Sequence, residues 1–155
     1  MRDCRFVAEH RGGPLSKENH RMLIEWAVLC SAHVLPLLNE DIDIRLIEAL
    51  RIAGEWANGN ATVGQARKAS VNAHAFARSA SDPVHTALAR SVGHAVATAH
   101  MADHSLGAAL YALRAVSLAG KSVADERSWQ INHIPHPICD LVKSALQAKG
   151  KSFKI

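Results

Sequence analysis

Histidines are the residues whose number and spacing most suggest chemistry in this chain, which contains ten of them. His100 and His104 are four residues apart, so on a continuous helix they share one face and can bind one metal ion. Asp103 can act as a third ligand, or as a carboxylate that orients an imidazole. His94 lies about 240° around the helix from His100, so it joins this group only if the backbone bends.

The ligand set for a metal is nevertheless incomplete. A metalloprotease helix needs Glu directly after its first histidine, and Met101 occupies that position here. We therefore expect His94, His100, Asp103 and His104 to form a buried polar cluster that hydrogen-bonds to backbone and neighbouring helices. No cofactor is expected, and we predict that the purified protein carries no stoichiometric transition metal. A metal-binding protein or metal-dependent enzyme that uses His100, Asp103 and His104 stays open as an alternative.

Other catalytic patterns are not found in the sequence. No serine lies in a GxSxG elbow, and Gly93 and Gly107 lie in helical patterns rather than in a phosphate-binding loop. The three cysteines (Cys4, Cys30 and Cys139) are widely spaced, which argues against a disulfide framework or a cysteine zinc site. The basic pair Arg67 and Lys68 has few aromatic neighbours, so nucleic acid is not an expected partner. We predict no catalytic residue and therefore no enzyme.

Three carboxylates, Glu40, Asp41 and Asp43, lie in a polar link between the first two predicted helices. Side chains in such links are exposed and are positioned by a rigid scaffold, so these three are our candidates for binding a protein partner. The net charge of +4 disfavours a mimic of nucleic acid, which needs a strongly acidic surface. The basic tail, residues 150–155, is typical of a solvated C-terminus, although such tails also contact nucleic acid or membranes.

Composition indicates the fold class. A chain of 155 residues predicts one domain, residues 1–155, with an N-terminal arm at residues 1–15. Alanine occurs 27 times and aromatic residues make up only 5% of the chain, so we expect an all-α protein. No apolar run approaches the roughly 20 residues that a membrane span needs, and we see no signal peptide. The predicted location is therefore the cytoplasm, with no membrane partner.

Capping signals divide the chain into a compact antiparallel bundle of about seven helices. Helix starts are predicted after Ser16, Asp43, Thr62, Asp82, Asp103 and Ser122, and a last helix from Pro137 to about Lys149. The nearly uncharged run 91–102 predicts a central, buried fourth helix that reaches about Met101. In the second helix, we expect Ile47, Leu50, Gly54 and Ala57 to share the apolar face. HEAT-like helix pairs are an alternative arrangement, although no fixed period recurs.

A family resemblance joins several of these segments. Residues 55–59 and 62–69, the opening 6–14 and the closing 126–135 are similar to segments of a bacterial family. The most specific block is 93–109, with the sequence GHAVATAHMADHSLGAA. The family is that of the immunity proteins of polymorphic toxin systems, and the chain resembles their fifth class. The likeness extends over most of the chain.

The resemblance implies an all-helical cytoplasmic domain with no established catalytic residues. Its implied role is to bind and neutralise a cognate toxin through its surface, without catalysis. A regulatory or scaffolding helical homodimer, formed through an alanine-rich face, is the other alternative to a metal protein.

Overall fold

Seven α-helices form the architecture in a computed structural model that describes residues 2–153. Within that range the structure contains no strand, so the predicted all-α class is confirmed. The single isolated β-bridge pairs Ala8 with Leu15 and folds the N-terminal arm back on itself. The helices are α1 (Lys17–Val34), α2 (Ile44–Ala57), α3 (Val63–Ser79), α4 (Pro83–Ala97), α5 (His104–Leu118), α6 (Val123–Asn132) and α7 (Cys139–Phe153).

The helix starts follow the local capping chemistry. Thr62 and Gln65 form a reciprocal capping box at the start of α3, with donor–acceptor distances of 2.8 and 3.1 Å. The Asp82 carboxylate accepts from the backbone N–H of Val84, and Pro83 occupies the first helical position of α4. Ser16, Asp43 and Ser122 also accept cap hydrogen bonds. These predicted starts are confirmed. The helices begin there since each cap satisfies backbone donors that would otherwise lack a partner.

The central position of α4 is also confirmed. This helix packs against α1, α2, α3 and α5, and most of its residues from Ala87 to Ala97 are buried. The small side chains of Ala89, Ala95 and Ala97 let the surrounding helices approach closely. A helix that has neighbours on most of its circumference must be apolar or small all around, as the run 91–102 predicted.

The predicted face of α2 is right at Ala57, which is buried, and at Leu50, which packs against the core, but it is wrong at Ile47. The helix buries Leu46, Ala49 and Ala53, whereas the side chain of Ile47 is 47% exposed. Ile44 is also exposed, whereas Ile52 is buried. The alanines of the buried face have the small side chains that close packing against α3 and α4 requires.

The segment Lys17–Leu38 is apolar and long enough to cross a membrane by length and composition alone, with a mean hydropathy of 1.4. The expectation that no apolar run approaches the length of a membrane span is therefore wrong, because this segment reaches it although Arg21 and Glu25 interrupt it. Half of this window is buried inside the structure. Its apolar residues include the fully buried Leu23 and Trp26, so packing in the core accounts for its composition.

The last helix begins and ends later than predicted. A short 3-10 helix, His136–Ile138, precedes α7, which then extends to Phe153. Part of the predicted basic tail is therefore helical, and Lys154 and Ile155 lie outside the described residues. The Arg114 guanidinium donates to the Phe153 carbonyl oxygen at 3.1 Å and lies 4.4 Å above the Phe153 ring. This contact joins the last turn of α7 to α5.

Candidate functional site

A turn at residues 98–103 separates α4 from α5 and shapes the surroundings of the histidines. The sequence prediction that α4 reaches about Met101 is wrong, because the helix ends at Ala97. The chain reverses there and α5 begins at His104. This is the bend that His94 needed in order to join His100 and His104.

His20 of α1 holds this turn from outside. Its side chain is buried, and its Nε2–H donates to the carbonyl oxygen of Thr98 at 2.6 Å. The Thr98 hydroxyl in turn donates to the carbonyl oxygen of His94 at 3.1 Å. The carbonyl groups at the end of α4 therefore have partners outside the helix, which removes the cost of leaving them buried and unpaired.

The turn brings four imidazoles together, and we call His74, His94, His100 and His104 the histidine cluster. The Nδ1 atoms of His94 and His104 are 3.0 Å apart and share one hydrogen bond. The ring of His74 lies 5.4 Å from that of His94, and the ring of His100 lies 5.4 Å from that of His104. Since one Nδ1 must donate and the other must accept, at least one of the bonded pair is neutral.

Two glycines make room for the rings. A Cβ on Gly93 would lie 2.7 Å from ring atoms of His74, and a Cβ on Gly107 would lie 2.7 Å from Nδ1 of His94. Tyr111 stacks on the other side of His94, with ring centroids 5.2 Å apart. Both glycines lie inside helices, as predicted, and are required there by the close packing of rings against backbone.

Burial keeps the histidine cluster neutral. It lowers the pKa of His94 to about 3, helped by the neighbouring His104 and His74. Burial also lowers the pKa of His74, with Arg90 and Arg78 adding to the effect. Burial is also the main cause of the lowered pKa values of His100 and His104, whereas the Asp103 carboxylate opposes the shift at both rings. The cluster is therefore uncharged at neutral pH.

The arrangement does not make a metal site among residues 2–153. No three His, Cys, Asp or Glu side chains in that range converge in a geometry that holds a metal ion. Asp103 occupies the position before α5, but its side chain makes no cap hydrogen bond, contrary to the sequence prediction. Its buried Oδ1 atom has no hydrogen-bond partner in the described part of the chain, nor have the Nδ1 atoms of His74 and His100. What remains is a hydrogen-bonded pair of neutral imidazoles that are half-buried, not fully buried as the sequence predicted.

The three predicted partner-binding carboxylates, which we call the acidic corner (Glu40, Asp41 and Asp43), lie together between α1 and α2. Asn39 precedes them with φ of +54°, a left-handed conformation that asparagine tolerates better than most residues. Glu40 and Asp41 are exposed. The Glu40 carboxylate also lies 3.3 Å from Nδ1 of His85 on α4.

Asp43 differs from its two neighbours because its carboxylate has several partners. It caps α2 by accepting from the backbone N–H of Arg45, and it forms an ion pair with the Arg45 guanidinium at 2.9 Å. Hydrogen bonding to Arg45 lowers the pKa of Asp43. Asp43 therefore stabilises the start of α2, whereas Glu40 and Asp41 are exposed at the surface.

Sequence reasoning missed a second aromatic group at the α1–α6 contact. His33 donates from Nδ1 to the buried Glu126 carboxylate at 2.8 Å and stacks on Trp129 with ring centroids 3.6 Å apart. His133 stacks on the same indole at 4.0 Å. The spacing of residues 126, 129 and 133 places them on one helix face, but only the fold brings α1 against that face.

The protein is all-α. The side chains of the histidine cluster pack between its helices, and the exposed carboxylates of the acidic corner lie in a helix connection. A family model described as Imm-5 like putative immunity protein matches residues 13–137. The chain belongs to this immunity protein family, as its sequence resemblance indicated. Neither a curated protein nor a solved structure matches the chain.

Proposed function

We propose that this protein binds a cognate toxin and neutralises it through its surface, without catalysing a reaction. The observation that carries the proposal is the family match over residues 13–137, which includes α1 to α6 and the acidic corner. Neutralisation by binding needs a rigid complementary surface and no reacting groups. The histidine cluster is neutral and packed against its neighbours, which is consistent with a protein that acts by binding through its surface.

The acidic corner is our candidate for the contact with the toxin. Its two exposed carboxylates, Glu40 and Asp41, are held between the Asn39 bend and the start of α2. A toxin that acts on nucleic acid presents a basic surface, and charge complementarity then speeds the encounter between the two proteins. The free cysteines are consistent with the cytoplasm as the compartment.

The test is co-expression of this protein with a candidate toxin encoded beside its own gene. The Glu40→Lys/Asp41→Lys variant reverses the two exposed charges and leaves the Asp43 cap intact. We expect weaker protection and an association rate about tenfold or more below that of the parent, with a larger loss at low salt.

The matched control is Glu18→Lys/Glu25→Lys, which reverses two exposed carboxylates on α1. This variant should protect as well as the parent. Equal protection by the corner variant would show that the acidic corner is not the interface. Failure of the parent itself to protect would contradict the immunity role.

A further inference from the structure

A groove with an apolar floor and a cationic rim lies between α5, α6 and α7. It has a volume of about 480 Å³, within the range of sites that bind ligands. Both α6 and α7 pack on α5 but have few contacts with each other, so a gap remains between their facing sides. Leu110, Leu113, Ile131 and Leu146 form its apolar floor.

Three cations surround this floor. Arg127 lies on the α6 side, and Lys143 and Lys151 lie on the α7 side. All three side chains are exposed, and none forms an ion pair with a carboxylate in residues 2–153. No acidic residue lines the groove. We call this site the cationic groove.

The α7 wall has the spacing of a helix-packing stripe. Positions 143, 146, 147, 150 and 151 all line the cationic groove and recur at intervals of three and four residues. Position 150 is a glycine with no atom within 4 Å of a Cβ built on it, so another backbone can approach closely there. The Arg114 contact with Phe153 fixes this wall against α5.

We propose that the cationic groove docks an acidic amphipathic helix of the toxin, whose apolar face packs on the half-buried Ile131 and Leu146 while its carboxylates pair with the rim. The proposal rests on the proposed immunity function. An amphipathic helix binds such a groove by laying its apolar face on the apolar floor between the helices. The positive charge of the rim favours helices that are acidic. The acidic corner lies on different elements, so a toxin that uses both surfaces presents a basic face to the corner and an acidic helix to the groove.

The first experiment uses two fluorescein-labelled synthetic helical peptides with the same leucine spacing, one flanked by Glu and the other by Lys. Fluorescence anisotropy should show that the parent binds the Glu peptide at least tenfold more tightly than the Lys peptide. The Lys143→Glu/Lys151→Glu variant should reduce binding of the Glu peptide at least tenfold, with a larger effect at low salt. The control Arg67→Glu/Lys68→Glu changes the net charge equally on the exposed side of α3 and should reduce binding less than threefold.

The second experiment repeats the toxin co-expression with the same variants. The groove variant should lose protection while keeping the circular-dichroism spectrum of the parent, and the control variant should protect. Equal binding of the two peptides, or an equal loss in the control variant, would overturn the proposal. A parent dimer that the groove variant dissociates would also overturn it, because the occupant would then be a second copy of this chain. If the parent does not protect, the proposed function fails, whereas full protection by the groove variant rejects only the groove.

Discussion

Two short helix connections in this protein carry ionisable side chains, the turn at residues 98–103 beside the histidine cluster and the acidic corner at residues 40–43. The first is held by His20 of α1, and the half-buried histidines beside it are neutral. The second stays at the surface, where Glu40 and Asp41 remain exposed. Burial therefore decides which of the two polar segments has its ionisable groups neutralised and which one keeps them charged at the surface.

The largest difference in unfolding free energy between variants of the two regions should come from filling the space beside His94. Gly107→Ala places a Cβ 2.7 Å from Nδ1 of His94, a ring already confined by His104 and Tyr111. Such overpacking should lower the free energy of unfolding by about 1–3 kcal/mol, measured by urea denaturation. The control is Gly54→Ala in α2, where nothing lies within 4 Å, and there the free energy should rise by about 0.5–1 kcal/mol. A similar gain in both variants would mean that the ring is free to move.

Acid should also act on the buried region. Burial holds the pKa of His94 at about 3, whereas an imidazole in an unfolded chain titrates near pH 6.5. Between these values the unfolded state binds a proton that the folded state does not, so stability falls as the pH decreases. From about pH 6.5 to about pH 5, this group should remove roughly 1–2 kcal/mol of unfolding free energy.

His94→Gln keeps a hydrogen-bonding side chain but removes the titrating ring. Urea denaturation at several pH values should give this variant a shallower loss of stability below about pH 6.5 than the parent shows. Identical pH profiles for the two proteins would contradict the assignment of this loss to His94.

The acidic corner should show the smallest effects on folding. Glu40→Lys/Asp41→Lys changes exposed side chains and should shift the free energy of unfolding by no more than about 0.5 kcal/mol. Asp43→Ala removes the cap of α2 and should cost about 1 kcal/mol. Thermal and urea unfolding would check both values. A loss of about 2 kcal/mol or more in the double variant would show that the corner is a structural element rather than a free surface.

The sequence predicts helix starts better than it predicts helix faces and ends. A cap such as Thr62 with Gln65 is a local interaction, so its pattern is visible in the residues themselves. The end of α4 at Ala97 depends instead on His20, and the buried face of α2 depends on where α3 and α4 pack.

The two candidate sites also differ in how far the sequence predicts them. Exposure of Glu40 and Asp41 follows from a polar link, so the sequence predicts it. The neighbours of the histidines do not follow from spacing, and His74 was missed because it reaches His94 from another helix. Gly93 and Gly107 are the available signal, since glycine inside a helix commonly marks a close approach by another group.

The hydrogen bond from His20 to Thr98 also implies an order of events in folding. The two residues are 78 positions apart, so the contact forms only after a long loop has closed. An isolated peptide of residues 83–119 lacks this contact, and its alanines favour one continuous helix. In such a helix His94 and His104 are separated by about 15 Å along the axis. We therefore expect docking of the first helix to favour the turn, and with it the histidine pair, over the continuous helix.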